Sequence, residues 1–122
     1  MSINTYEENR ILNASPVELV RILYAGAVRA ILEARECLRA GDIAGRSKKI
    51  GKAQMILVEL SNAIDPTQGR EIGERLIVLY DYMLSRLAEA NIEQKDAPLA
   101  QVSDLLVTLQ EGWAEEAQHA HR

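Results

Sequence analysis

From Val17 onward, apolar residues recur at intervals of three and four, the period of amphipathic helices rather than of strands. Ser15-Pro16-Val17-Glu18 reads as a helix start. Ser15 can cap free amides, Pro16 suits the first turn, and Glu18 completes a capping box. The stripe Val20, Leu23, Ala27, Ile31, Ala34 and Leu38 then runs to Gly41, a residue suited to ending a helix. This predicts a first helix over about residues 16–40. Asp42 can cap a second at once, whose stripe is Ile43, Ile50, Ala53, Leu57, Leu60 and Ile64. Gly45 and Gly51 weaken its first half, and Asp65-Pro66 stops it, which places it at 43–64.

After Thr67-Gln68-Gly69 the stripe resumes with Ile72, Leu76, Leu79, Met83, Leu87 and Ala90, predicting a third helix over 70–94. Asp96 is placed to cap a fourth over 97–118, with Pro98 in its first turn and Leu99, Val102, Leu106, Leu109, Trp113 and Ala117 as its stripe. Four stripes of similar length on short connections predict an all-α fold, an antiparallel up-down-up-down four-helix bundle. Residues 1–14 show no sustained period and are expected to pack on it as a short segment. The 122 residues are expected to form a single domain.

Composition sharpens this picture. The chain is 48% hydrophobic but has no Phe and only 4% aromatic residues, so its core must be aliphatic. Net charge is −4 with both signs interspersed, unlike the one-sided basic face of a nucleic-acid binder. The one basic cluster, Arg46-Ser47-Lys48-Lys49 with Lys52, reads as a solvated helix face. The single cysteine, Cys37, excludes an internal disulfide and suits a reducing compartment. The opening residues lack a basic stretch followed by an apolar run, and no segment approaches the roughly 20 apolar residues of a membrane span. A soluble, cytoplasmic protein without membrane insertion is expected.

A census of chemistry finds little. A di-metal carboxylate bundle needs Glu-x-x-His on two helices. This chain has one, at Glu116 and His119, and no Glu, Asp or His in its stripes. His119-Ala120-His121 reads as an exposed tail, and Gly69-x-x-x-Gly73 opens a soluble helix. No phosphate-binding glycine loop or nucleophile motif occurs. The expectation is no catalytic residue, no cofactor and no metal; the protein is not expected to be an enzyme.

What the sequence has in excess is hydrophobe. With Leu57 as the centre of its stripe, Ile56 and Val58 fall on opposite flanks and Met55 nearly behind. With Leu79 as centre of the third helix, Ile77, Tyr80 and Leu84 fall to one side or behind, and Ile22, Val28 and Leu32 lie off the line of the first. Such breadth exceeds the stripe of an ordinary packed helix and calls for a cover. The candidates are the chain's own Ile3, Tyr6, Ile11 and Leu12, a second copy, or an amphipathic partner helix.

The chain also resembles the flagellin export chaperone family, FliS, over nearly its whole length. The resemblance rests on Tyr6, on Ala14-Ser15-Pro16-Val17-Glu18-Leu19-Val20 running into Leu23-Tyr24-Ala25-Gly26-Ala27, and on Ile50-Gly51-Lys52-Ala53 with Glu59-Leu60. It continues through Leu79-Tyr80-Asp81-Tyr82-Met83, Arg86-Leu87 and Ala90-Asn91, and through Leu105-Leu106, Leu109 and Trp113. Ala25 stands where the family usually has an acidic residue. The resemblance implies an antiparallel helical bundle that binds the C-terminal segment of flagellin, keeps it from polymerising and supports delivery to the flagellar type III export gate. It further implies that the segment around Tyr6 lies over the hydrophobic surface when flagellin is absent.

Taken together, the partner-contact residues expected are Met55, Ile56, Ile77, Tyr80 and Leu84, with Tyr6 as competing lid. The protein is expected to be a monomer or weak dimer. The alternatives are a helical chaperone or adaptor for another secreted substrate, and a self-associating structural bundle.

Overall fold

Local chemistry sets the helix ends. The computed structural model describes residues 15–64 and 70–120, with side chains up to Gly112, and its elements are α1 (Pro16–Ala40), α2 (Ile43–Asn62), α3 (Arg70–Glu93) and α4 (Asp96–Ala120). Ser15 Oγ accepts from the Glu18 amide at 3.2 Å, with Pro16 in the first turn. At the other end Gly41 takes the left-handed conformation, φ 73°. Its amide donates to Leu38 O and that of Asp42 to Cys37 O, so two otherwise orphaned carbonyls are satisfied. The Asp42 carboxylate in turn accepts from the Gly45 amide at 2.9 Å and opens α2. A β-carbon on Gly45 would collide with that carboxylate, so the glycine that lowers helix propensity also makes room for the cap.

The boundaries depart from the sequence expectation in small ways. Helix α2 ends at Asn62, and Ile64 lies beyond it with its amide on Ser61 O. Helix α3 ends at Glu93, followed by Gln94 at φ 57°, with the Lys95 amide on Ala90 O at 3.3 Å. Here the chain uses the same left-handed exit as at Gly41, but with a side chain that must bear the steric cost. Gln94→Gly is therefore expected to raise stability by about 0.5–1 kcal/mol and Tm by roughly 2–4 °C, read by thermal denaturation. Asp96, expected to cap α4, is instead its first residue, and its carboxylate receives two bonds from Arg35 at 2.8 and 2.9 Å.

Helix α1 packs on α2 and α4, and α3 packs on the same two. The pairings Glu33–Lys49, Arg46–Asn91, Arg86–Gln101 and Arg35–Asp96 each join the late part of one helix to the early part of another, as an antiparallel bundle requires. The core is almost wholly aliphatic, with Ile31, Ile50, Leu57, Met83, Leu87, Leu99, Val102 and Leu106 fully buried. Alanines 27, 30, 34, 53 and 90 let the helices approach closely. Two tyrosines complete it. Tyr24 and Tyr80 reach across the bundle from α1 and α3, and their hydroxyls share a hydrogen bond. Ile43, placed in the stripe of α2 by the sequence, is instead exposed in the first turn. All helices are present as expected, and no strand occurs among the described residues. The N-terminal segment 1–14 and its packing lie outside those residues.

Candidate functional site

Chemical readings come first. Among the described residues no group of His, Cys, Asp and Glu is arranged to hold a metal ion. The Glu116–His119 pair lies outside the described side chains. The titratable groups that depart from their ordinary values do so for structural reasons. Asp96 is held below the usual carboxylate range by its hydrogen bonds from Arg35, and Glu33 by its bond from Lys49. The Tyr80 hydroxyl is pushed up by burial and by its bond to Tyr24. Each is a packing or ion-pair effect.

The more distinctive geometry lies on the outside, along the seam between α2 and α3. It begins at a polar anchor. Arg46, expected on a solvated face, is only 5% exposed. Its Nε donates to Asn91 Oδ1 at 3.2 Å and an Nη to Asn91 O at 3.3 Å, near the C-terminal end of α3 where free carbonyls favour a cation. Ser47 Oγ donates to the same Asn91 Oδ1 at 3.1 Å. These bonds fix which sides of the two helices meet. Counting from Ser47 at about 100° per residue, Gly51, Gln54 and Val58 stay within roughly 40° of it along α2. Counting back from Asn91, Ala88, Leu84 and Ile77 stay within roughly 60° along α3.

Apolar side chains are exposed on both sides of the seam. Val58 and Ile77 are exposed on its two walls, and Leu84 is partly buried against the core. Met55 stands on the α2 rim, 71% exposed. A β-carbon on Gly51 would meet nothing within 4 Å, which leaves a bare place on the α2 side. Two of the residues singled out from sequence, Ile77 and Leu84, fall along the seam, and Met55 stands about 80° round α2 from Ser47, on its outer side. Val58 joins Ile77 and Leu84 there.

Two of the other three stand elsewhere. Ile56 is on the opposite flank of α2, where a β-carbon on Gly26 would stand 3.3 Å from its Cδ1; it packs towards α1. Tyr80 is a correction: at 2% exposure it lies in the core, not on the outer face. The centre of α3 is the line Gly73, Tyr80, Met83, Leu87 and Ala90, one step round from Leu79. A tyrosine can occupy that line because its hydroxyl finds Tyr24. Tyr6 lies outside the described residues. Sequence reasoning also passed over Ile92 and Val78, both strongly exposed on α3, and Tyr82, whose hydroxyl donates to Gln101 at 3.2 Å. A smaller exposed set, Val17, Leu32 and Val107, lies on α1 and α4.

The family model described as "Flagellar protein FliS" matches residues 1–120. The flagellar secretion chaperone FliS of Salmonella typhimurium is 35% identical over 107 residues, covering 87% of this chain and 79% of that protein. The flagellar secretion chaperone FliSB of Pseudomonas aeruginosa is 34% identical over 106 residues, with 87% and 84% covered. That of Bacillus subtilis is 29% identical over 113 residues, with 93% and 84% covered.

Proposed function

The chain belongs to the FliS family of flagellar proteins, and from that premise we propose that it is a cytoplasmic secretion chaperone for flagellin. It binds the C-terminal segment of flagellin, prevents premature polymerisation and supports delivery to the flagellar type III export gate. The observation that carries this reading is the apolar surface along the α2–α3 seam of an otherwise well-capped bundle, with Val58 and Ile77 exposed on its two sides and Met55 on the outer side of α2. Monomeric proteins seldom leave a contiguous apolar strip uncovered, and an amphipathic segment is a natural occupant for a helical groove. A disordered segment that folds on binding must offset an ordering cost of about 2–5 kcal/mol or more, and apolar burial along a preformed seam supplies the compensation.

Chaperoning is a binding task, and it draws on the surface of the bundle rather than on a reactive group. No helix among the described residues is long and apolar enough to cross a membrane, in keeping with a substrate met in the cytoplasm. Tyr6 and its neighbours act as a lid that yields to flagellin, and the free protein is a monomer or weak dimer. Calorimetric titration with full-length flagellin, and with flagellin lacking its C-terminal segment, tests the reading. The expected result is saturable one-to-one binding to the first, with a negative heat-capacity change, and none to the second. Equal binding to both would place the recognised segment elsewhere, and no binding to either would overturn the proposal.

A further inference from the structure

A second surface lies on another side of α3, where it meets α4. Tyr82 and Arg86 of α3 both donate to Gln101 Oε1 on α4, at 3.2 and 2.6 Å, and Arg86 Nη1 donates to Glu89 at 2.6 Å. These bonds tie the phases of the two helices and hold the tyrosine and arginine side chains in place. Counting from Tyr82 at about 100° per residue, Val78 and Arg75 stay within roughly 40° of it. Ile77 and Leu84, which border α2, stand roughly 140–160° away. The two surfaces are therefore separate faces of α3. The centre of this one is apolar: Val78 is 68% exposed and Tyr82 44%, and with its hydroxyl bonded to Gln101 the tyrosine offers chiefly its ring. Tyrosine and arginine side chains already held by neighbours lose little freedom on binding, which suits them to contact surfaces.

Carboxylates rim this centre on both sides. Glu74 and Asp81 lie roughly 80–100° round from Tyr82, on the edge towards α2. Asp104 and Glu111 lie roughly 60–80° round from Gln101, on the edge towards α1. All four are exposed, and among the described residues none stands within 4.0 Å of a cation. The two cations of the face, Arg75 and Arg86, are already paired with Glu71 and Glu89. Arg70 lies further round towards α2, past Glu74, and Arg35, whose field reaches Asp104, is itself bonded to Asp96.

We propose that this α3–α4 face is a second docking surface, for a basic segment of another protein that places an apolar side chain on Val78 and Tyr82. Lysines or arginines flanking that side chain meet Glu74 and Asp81 along one edge and Asp104 and Glu111 along the other. One of them can lie against the exposed Tyr82 ring, which attracts a cation. A second copy of this chain is a poor match, because the chain is itself acidic, with a net charge of −4. Since the face is separate from the α2–α3 seam, both can be occupied at once. A chaperone that carries one protein to another has use for such an arrangement.

The test uses the full chain, isotope-labelled for NMR, and a model peptide of about 12 residues with adjacent leucines between pairs of lysines. One control peptide replaces every lysine with glutamate, and another replaces the leucines with serine. Amide shifts on adding the basic peptide should be confined to residues 71–89 and 101–111. Binding should saturate below about a millimolar at low salt and weaken as salt is added. Each control should bind about tenfold more weakly or worse. Val78→Ser combined with Asp81→Lys should also weaken the basic peptide about tenfold, with helical circular dichroism unchanged. Val58→Glu with Ile77→Glu, at the α2–α3 seam, should not weaken it. Shifts spread over the carboxylates of α1 and α2, such as Glu36 and Glu59, would mean attraction to net charge alone and overturn the site. A serine control that binds as well as the leucine peptide, an affinity unmoved by the Val78 and Asp81 changes, or no binding at millimolar concentration would overturn it too. Shifts on this face that depend on protein concentration, without peptide, would assign it to a second copy instead.

Discussion

Tyr80→Ala is expected to lower the unfolding free energy by about 3–5 kcal/mol, one of the largest losses a single side chain in this bundle can cause. Tyr80 is buried in the centre of the core and reaches across it to Tyr24. Truncation removes a ring whose space the rest of the buried cluster cannot refill without moving helices. Against a total stability of about 5–15 kcal/mol for a domain of this kind, that loss moves the urea midpoint by roughly a fifth or more. Tyr80→Phe isolates the polar part. It keeps the ring and deletes one hydroxyl, removing the buried hydrogen bond to Tyr24, at a cost of about 0.5–1.5 kcal/mol. Urea unfolding followed by circular dichroism reads both values. A wild-type midpoint in both variants, together with lost partner affinity, would return Tyr80 to the outer surface.

The contrast between Tyr80 and the helix ends shows what could be read from the chain alone. Ser15, Gly41 and Asp42 act on backbone groups within four or five residues of themselves, so their roles are written in consecutive letters. The four apolar periods are equally local, and the bundle follows from them. What escaped was every feature whose partner is remote in sequence. Asp96 had the position of a cap, but Arg35 lies 61 residues away and supplies two bonds to it. Arg46 looked solvated because nothing nearby predicts Asn91, 45 residues on. Tyr80 looked peripheral because Leu79 makes an equally good stripe until Tyr24, 56 residues earlier, is found to share a hydrogen bond with its hydroxyl. Even so, a trace of the answer was present. The spacing Gly73, Leu76, Tyr80, Met83, Leu87, Ala90 holds the helical rhythm more steadily than the line begun at Ile72, which proves exposed.

The candidate surface was legible for the complementary reason. Surplus hydrophobe is a property of one helix at a time, and Met55, Ile77 and Leu84 stood out on the wheel without knowledge of any neighbour. Which flank of each helix they shared depended on bundle geometry, and there Ile56 parted from the rest. The anchor at Asn91 decides the matter, because its bonds tie the phase of α2 to that of α3.

The double change Val58→Glu with Ile77→Glu is expected to weaken flagellin binding about a hundredfold or more while leaving the bundle folded. Both side chains are substantially exposed, 45% and 40%, so neither carboxylate need be buried in the free protein, and the stability change should stay near 0.5 kcal/mol for each. In the complex the same carboxylates would sit at the centre of an apolar contact, where a central residue typically contributes 2 kcal/mol or more and an unpaired charge adds its desolvation cost. The loss should therefore exceed what deletion of contact area alone would bring. Leu32→Glu with Val107→Glu makes the corresponding change on α1 and α4, where the exposed apolar set is smaller. Titration of flagellin against both variants, with circular dichroism as the folding control, locates the site. Loss confined to the first variant supports the α2–α3 seam, and loss confined to the second moves the substrate to the opposite face. A collapse of helical signal in the first variant would mean that Val58 and Ile77 serve the core after all, because a carboxylate that unfolds a bundle must have been forced into its interior rather than into its groove.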